Sequence, residues 1–237
     1  MGRGCACAGA GLGCDAVSET RAAATVVVLR DDRAGVETLL LRRNSKIAFG
    51  GMWVFPGGRV DDADRDGLVA DDDLSAARRA AVREAHEEAG LVVDVTTLVP
   101  LSHWTPPALA PRRYLTWFFV AATPSYAVTI DDGEIHAHEW MRPADALARR
   151  NALEIELAPP TWVTLEWLAG HTSVAAALAA AGNQAPERFE TRLAFPEIGP
   201  VALWHGDAGY DASDAGAPGP RHRLSMLPQG WCYERHD

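Results

Sequence analysis

Arg83-Glu84-Ala85-His86-Glu87-Glu88-Ala89-Gly90-Leu91 is the stretch on which the reading of this chain turns. Glu84, Glu87 and Glu88 stand at i, i+3 and i+4, so a helix brings their carboxylates onto one face. Like charges in that arrangement repel, and no lysine is interleaved to relieve them. A divalent cation removes the penalty, and hard Mg²⁺ or Mn²⁺ takes carboxylate oxygens. Arg83 lies one turn before Glu87 and can pair with it. The helix is predicted over Leu74 to Ala89: it is Ala-rich, Asp72, Asp73 and Ser75 crowd its start, and Gly90 stops it. A helical wheel buries Leu74, Ala77, Ala81 and Ala85 and sets Glu84 and Glu88 along the edge of that stripe. Carboxylates there sit where helix meets sheet, partly shielded. His86 points off their face and reads as a surface histidine.

Upstream, Ala24–Leu29 and Val36–Leu41 read as strands joined by a turn at Asp31–Gly35. Met52–Phe55 is a third short strand, ended by Pro56-Gly57-Gly58. Residues 61–73 hold seven aspartates in thirteen positions with no apolar period, which predicts a solvated loop. Downstream come strand-like runs at Leu91–Val95, Tyr114–Ala121 and Ile135–Met141, a helix at Ala144–Arg150, and helices at 161–169 and 173–181 closed by Gly170 and Gly182. Trp53, Trp117, Phe118 and Phe119 read as core. Short apolar runs around Leu193 and Val201–Trp204 precede an acidic, Gly/Pro-rich loop at Gly206–Pro220. This order predicts an α/β sandwich with a mixed sheet. The expected organisation is a flexible tail over 1–20, a core domain over 21–155, and an extension over 156–237, helical and irregular, packed on the same domain.

At 237 residues the chain fits one domain with additions, and 48% hydrophobic with 23% charged residues is ordinary for a globular protein. A formal net charge of −10 argues against a broad nucleic-acid footprint. It also means that an acidic phosphate ester needs a local centre to cancel repulsion. No apolar run is long enough to span a bilayer, and the first residues lack the apolar core of a secretion signal, so a cytoplasmic protein is expected. Cys5, Cys7 and Cys14 have no neighbouring His and no paired C-x-x-C spacing, which speaks against zinc. Lys46 is the one lysine among 22 basic residues, a bias read as compositional. Oligomeric state is not legible.

With its flanks, the opening stretch resembles the Nudix hydrolase family, whose box reads G-x5-E-x7-R-E-U-x-E-E-x-G-U, U being a bulky aliphatic. Arg83-Glu84, Glu87-Glu88, Gly90 and Leu91 match, and Phe55-Pro56-Gly57-Gly58 resembles the opening of the box. Gly58 lies 25 residues before Arg83 where the box has 14, an insertion of eleven. The box's first glutamate falls on Ser75, and U is the small Ala85. The interrupted box, with Val54–Asp61, Trp104-Thr105-Pro106-Pro107, Pro111–Tyr114 and Trp117–Phe119, resembles the branch that includes coenzyme A diphosphatases.

The resemblance implies a Nudix-type α/β/α sandwich with additional C-terminal helices, and metal-assisted attack of water on a P–O–P unit. On that reading Glu84, Glu87, Glu88 and Arg83 form the catalytic set. Glu84, Glu87 and Glu88 are the metal ligands, joined by a carbonyl of Gly57 or Gly58 and by Glu134, which opens the strand Ile135–Met141. Arg42, Arg112 and Arg113 are the candidate grips on substrate phosphate. The expected cofactor is Mg²⁺ or Mn²⁺. The expected partner is a small nucleotide, with coenzyme A or acyl-coenzyme A ahead of ADP-ribose, NADH, dinucleotides or nucleoside triphosphates, and with neither nucleic acid nor membrane. A nucleotide-sensing module without turnover is the rival; it predicts loss of one or more of the three glutamates, and all three are present. The Gly-Gly turn ahead of the helix speaks against an unrelated metal-dependent phosphatase.

Overall fold

The fold is built around β1, Thr20–Asp32, whose Val26, Val27, Val28 and Leu29 are all fully buried. An apolar run without alternation means that both faces of the strand are covered. The structure is a computed structural model and describes residues 20–44, 50–110, 112–123, 127–130 and 133–236. Expectations for the leader up to residue 19, for Lys46 and for Pro111 lie outside the described residues.

On one side β1 runs parallel to β6, Arg113–Ala122, with Val26 opposite Phe119. On its other side β1 is shared. Its distal half pairs with β2, Gly35–Arg43, and its proximal half with β4, Gly57–Arg59, where Ala24 faces Gly58. Adding β3 (Trp53–Val54), β5 (Val99–Thr105), β7 (Ile135–Met141) and β8 (Glu187–Glu190) gives the order β3-β2-β1-β6-β5-β8, with β4 on β1 and β7 on β2. The β1–β6 and β5–β8 pairs are parallel and the rest antiparallel, so the sheet is mixed.

One face of the sheet carries α2, Asp73–Ala89. Its Ala77, Ala80, Ala81, Ala85 and Ala89 pack on Val26, Val28, Leu39, Leu41 and Phe119. Side chains this small let the helix lie close to the strands. Asp72 caps its start by accepting the Ser75 N–H at 3.0 Å, and Gly90, at φ 65°, ends it in the left-handed conformation that glycine tolerates. The opposite face carries α4 (Pro159–Ala169) and α5 (Val174–Gly182), whose Trp162, Leu165, Leu168 and Ala177 cover Val27, Leu29, Phe118 and Val120. Between β7 and α4 lies α3, Pro143–Asn151, packed against α4. The α/β/α layering is therefore as the sequence predicts.

Four local expectations are corrected. Gly57 and Gly58 belong to a strand, not to a turn, because Pro56 O and both glycines face β1 across a ladder. Leu91–Val95 is not a strand. It alternates buried Leu91 and Val93 with exposed neighbours, but its backbone folds onto the helix end and then into a 3-10 turn at Val95–Thr97, where Asp94 accepts the Thr96 N–H at 2.8 Å. Residues 61–73 are not wholly solvated: α1, Asp62–Arg65, forms there, and Asp64 is buried. The segment after α5 is strand rather than irregular. After β8, strands β9 (Arg192–Ala194), β10 (Val201–Leu203), β11 (Arg221–Leu227) and β12 (Gly230–His236) make a second, antiparallel sheet. Among the described residues no helix is long and apolar enough to cross a membrane.

Candidate active site

Two elements set the site: the C-terminal half of α2 and the short strand β4. Glu88 is buried, its side chain 5% exposed, and its Oε2 accepts the Gly57 N–H at 2.9 Å. Gly58 lies against the Glu84 carboxylate so closely that an added Cβ would overlap it. Glycine is needed at 58 for space, since its backbone is not in the left-handed region. Burial pushes the Glu88 carboxyl up to about 7, against the pull of the Gly57 N–H and Arg43 and with Glu84 and Glu134 adding to the rise. Burial likewise raises Glu84, partly countered by Arg83. Glu87, one turn from Arg83, is exposed.

Two arginines meet this negative charge. Arg83 Nη1 donates to Glu84 Oε1 and to Glu87 Oε2, both at 2.9 Å, while Nη2 donates to the Arg59 carbonyl at 2.9 Å. Its other edge grips Asp64, Nε to Oδ1 at 3.2 Å and Nη2 to Oδ2 at 2.9 Å. The Asp64 hydrogen bonds, ahead of those from Glu84, hold the guanidinium firmly protonated. Arg43 lies 3.5 Å from Glu88 Oε1 and donates to Glu134 Oε2 at 2.8 Å. Among the described residues no three acidic, His or Cys side chains form a ready-made metal cage; the arginines occupy the spaces between the carboxylates. The donor set itself is all oxygen, a carboxylate-rich surface lined by backbone, which suits a hard divalent cation better than a thiophilic one.

The structure thus gathers Arg83, Glu84, Glu87, Glu88, Gly58 and, through Arg43, Glu134. It does not bring in the three proposed phosphate grips. Arg42 is exposed and lies in register with Trp53 and Ala137, whose side chains join the sheet face opposite α2. Arg112 is exposed, and Arg113 opens β6 opposite Thr20, its Nε buried without a hydrogen-bond partner. Neither forms an ion pair with the carboxylates among the described residues. Two residues escaped the sequence reading. Arg43 was legible: Leu39 and Leu41 face α2, and the alternation continues to 43. Asp64 was signalled by the Asp61-x-x-Asp64 spacing of a capping box, which the structure contains, and by its place six residues after Gly58, where G-x5-E puts an acid.

A family model described as the NUDIX domain matches residues 19–168. No curated protein matches the chain in sequence. Among solved structures, a Nudix hydrolase from Alicyclobacillus acidocaldarius is similar with a TM-score of 0.62 and 24% identity, over 69% of this chain and 97% of that one. The Nudix domain of NrtR from Shewanella oneidensis, solved with ADP ribose, scores 0.48 at 20% identity over 65% and 90% of the two chains. A MutT Nudix hydrolase from Burkholderia pseudomallei scores 0.47 at 21% identity over 63% and 98%. With the family model spanning most of the chain and the helix of glutamates folded against its Gly-Gly strand, the chain belongs to the Nudix family.

Proposed function

We propose that Glu84, Glu87 and Glu88, with the Gly58 carbonyl and Glu134, hold Mg²⁺ or Mn²⁺, and that this centre hydrolyses a nucleoside diphosphate-linked compound. The observation that carries the proposal is the Glu88 carboxylate, buried against the Gly57 N–H with Glu84 pressed on Gly58 and Glu87 one turn away. Burying carboxylates side by side costs stability, and a fold keeps such an arrangement where a cation repays it. When bound, a divalent cation supplies Lewis-acid polarisation of phosphoryl oxygen and an acidified water.

The residues divide the remaining work. Glu84 takes the proton from the attacking water as its oxygen adds to one phosphorus; the bridging P–O bond breaks, and the other phosphate leaves with the bond's electrons. Glu88, fixed by the Gly57 N–H, keeps its orientation through the reaction. Arg83 orients Glu84 and Glu87 together. Arg43 joins Glu88 to Glu134 and is a closer candidate than Arg42 for contact with substrate phosphate.

Within this class, coenzyme A or an acyl form is the substrate proposed, on the branch resemblance of the interrupted box and of the Trp104-Thr105-Pro106-Pro107 segment. The test is a hydrolysis panel with Mg²⁺ and with Mn²⁺ over coenzyme A, acyl-coenzyme A, ADP-ribose, NADH, dinucleotides and triphosphates, with products identified by mass. Coenzyme A should give a 4′-phosphopantetheine product and adenosine 3′,5′-bisphosphate. A preference of about a hundredfold for ADP-ribose or a triphosphate rejects the coenzyme A reading.

A further inference from the structure

A cavity of about 280 Å³, at the small end for ligand sites, opens on the face of the sheet opposite α2. Helix α4 and the end of α5 form one side of it, and β5, β8 and β12 the other. On α5 the wall is Ala180 and Ala181, and side chains that short leave room beside the helix. The glutamates of α2 take no part. Gly58 pairs with Ala24, Ala24 with Trp117 and Trp117 with His103, so β5 stands three strand spacings, about 14 Å, from β4. Much of the wall, from Ala180 to Arg235, comes after residue 168, where the match to the family model ends.

The wall is aromatic and carries one uncompensated charge. Trp104 and Phe189 stack at 3.9 Å, and Trp204 stands edge-on to both, so this part of the wall is fixed. Trp167 and Tyr233 add ring surface from α4 and β12. Of the three charged side chains present, two cancel: Arg235 donates to Glu187 Oε2 at 2.7 Å. The third is Glu166, at the rim and open to solvent on one side. Among the described residues no hydrogen bond or ion pair reaches it. Partial burial still raises its carboxyl above the ordinary value, and burial pushes the Tyr233 hydroxyl up to about 12. Both shifts mark a lining where water hydrates an anion poorly.

Such a lining is short of a positive charge. A half-desolvated carboxylate gains from an opposite charge beside it, and aromatic rings attract organic cations through their quadrupoles. An anion would meet Glu166 and a chain of net charge −10. A bare metal ion would find one free carboxylate among rings, far from the six or so oxygens that a hard cation takes. We propose that this cavity binds a small organic ammonium ion with a flat apolar body. The body lies against Trp104 and Trp167, and the ammonium group pairs with Glu166. The site is separate from the carboxylates of α2, and its occupant is a ligand distinct from the phosphate compound.

The probe is benzylammonium, with benzyl alcohol and benzoate as neutral and anionic counterparts of the same body. Each is titrated by calorimetry into the whole chain, into Glu166→Gln and into Ala180→Leu, while indole ¹H–¹⁵N resonances show which tryptophans respond. Benzylammonium should bind the parent and shift the Trp167 signal. Glu166→Gln should weaken it about ten- to a hundredfold, the worth of a hydrogen bond to a charged group, with benzyl alcohol unaffected. Ala180→Leu fills the cavity and should abolish binding of both. Hydrolysis by Glu166→Gln should match the parent. Absence of benzylammonium binding to the parent at about 10 mM overturns the proposal, since even a weak built site exceeds that affinity. Equal affinity in Glu166→Gln overturns it too, as does benzoate binding as tightly as benzylammonium, or a Trp167 signal that stays in place. If Ala180→Leu does not fold, Glu166→Gln decides, because its rim position leaves the core untouched.

Discussion

Glu88 bears the sharpest conflict of any residue in the site, because it is both buried and beside other carboxylates. Its carboxyl is pushed up to about 7 from an ordinary 4.5. Between those values the folded chain holds a proton that the unfolded chain has released, so the stability contribution of this group is full below 4.5 and declines as pH rises through about 7. The decline amounts to about 3 kcal/mol. Urea unfolding of cation-free protein from about pH 5 to pH 8 should show it, and Glu88→Gln should abolish it. A parent and variant with parallel profiles would contradict the account. Gly58 poses a steric test at the same scale. Its backbone is ordinary, so alanine brings no φ strain, yet the added methyl lands on the Glu84 carboxylate. Gly58→Ala should lower turnover about a hundredfold, as a displaced catalytic group does, with little change in melting temperature. Parental turnover would show that the close approach of β4 to Glu84 does not matter.

Elements position these residues by contact area, and α2 does so with alanine. Ala81 is fully buried among Val26, Val28, Leu39 and Phe119. Ala81→Leu forces extra volume between helix and sheet, for an expected loss of about 1–3 kcal/mol. Because the shift also lifts Glu84 and Glu88 off β4, activity should fall more than stability does; equal activity per folded molecule would disprove that coupling. The helix was legible because period, cap and glycine stop agree over one short stretch. Leu91–Val95 was misread because its alternation copies a strand, while among the described residues no strand pairs with it and it closes on the helix end instead. The carboxylate cluster was likewise legible, since i, i+3, i+4 spacing is local. The pairings of Asp64 with Arg83 and of Arg43 with Glu134 were not, because they span 19 and 91 residues of sequence.

At the scale of the whole molecule, the second sheet is joined to the first by aromatic packing. Trp204, fully buried, lies edge-on to Trp104 at 5.7 Å and to Phe189 at 5.4 Å, and those two stack at 3.9 Å. Beside this cluster, Asp207 is buried with Arg223. Burial alone pushes Asp207 up, but the Arg223 fork and the N–H groups of His222 and Gly209 outweigh it and hold the carboxylate below its ordinary value. Strands such as Arg221–Leu227 hide from a hydropathy reading because their buried positions include His222 and Arg223. Arg223→Met leaves Asp207 buried and unpaired and should cost about 3–5 kcal/mol. Chemical unfolding should show that loss in a single transition, with hydrolytic activity of the folded fraction unchanged. Two transitions, only one of them shifted, would mean that the sheets unfold separately.

The central claim is that hydrolysis runs on the glutamates of α2, and the rate of Glu88→Gln beside the parent tests it most directly. The amide keeps the shape and the bond from Gly57 while removing the charge. With Mg²⁺ or Mn²⁺ present and diphosphate cleavage followed by product mass, the parent should turn over and the variant should lose at least about a hundredfold, more than groups that merely orient ligands lose. A folded Glu88→Gln protein that cleaves the same compound at the parental rate would contradict the account and place the chemistry elsewhere.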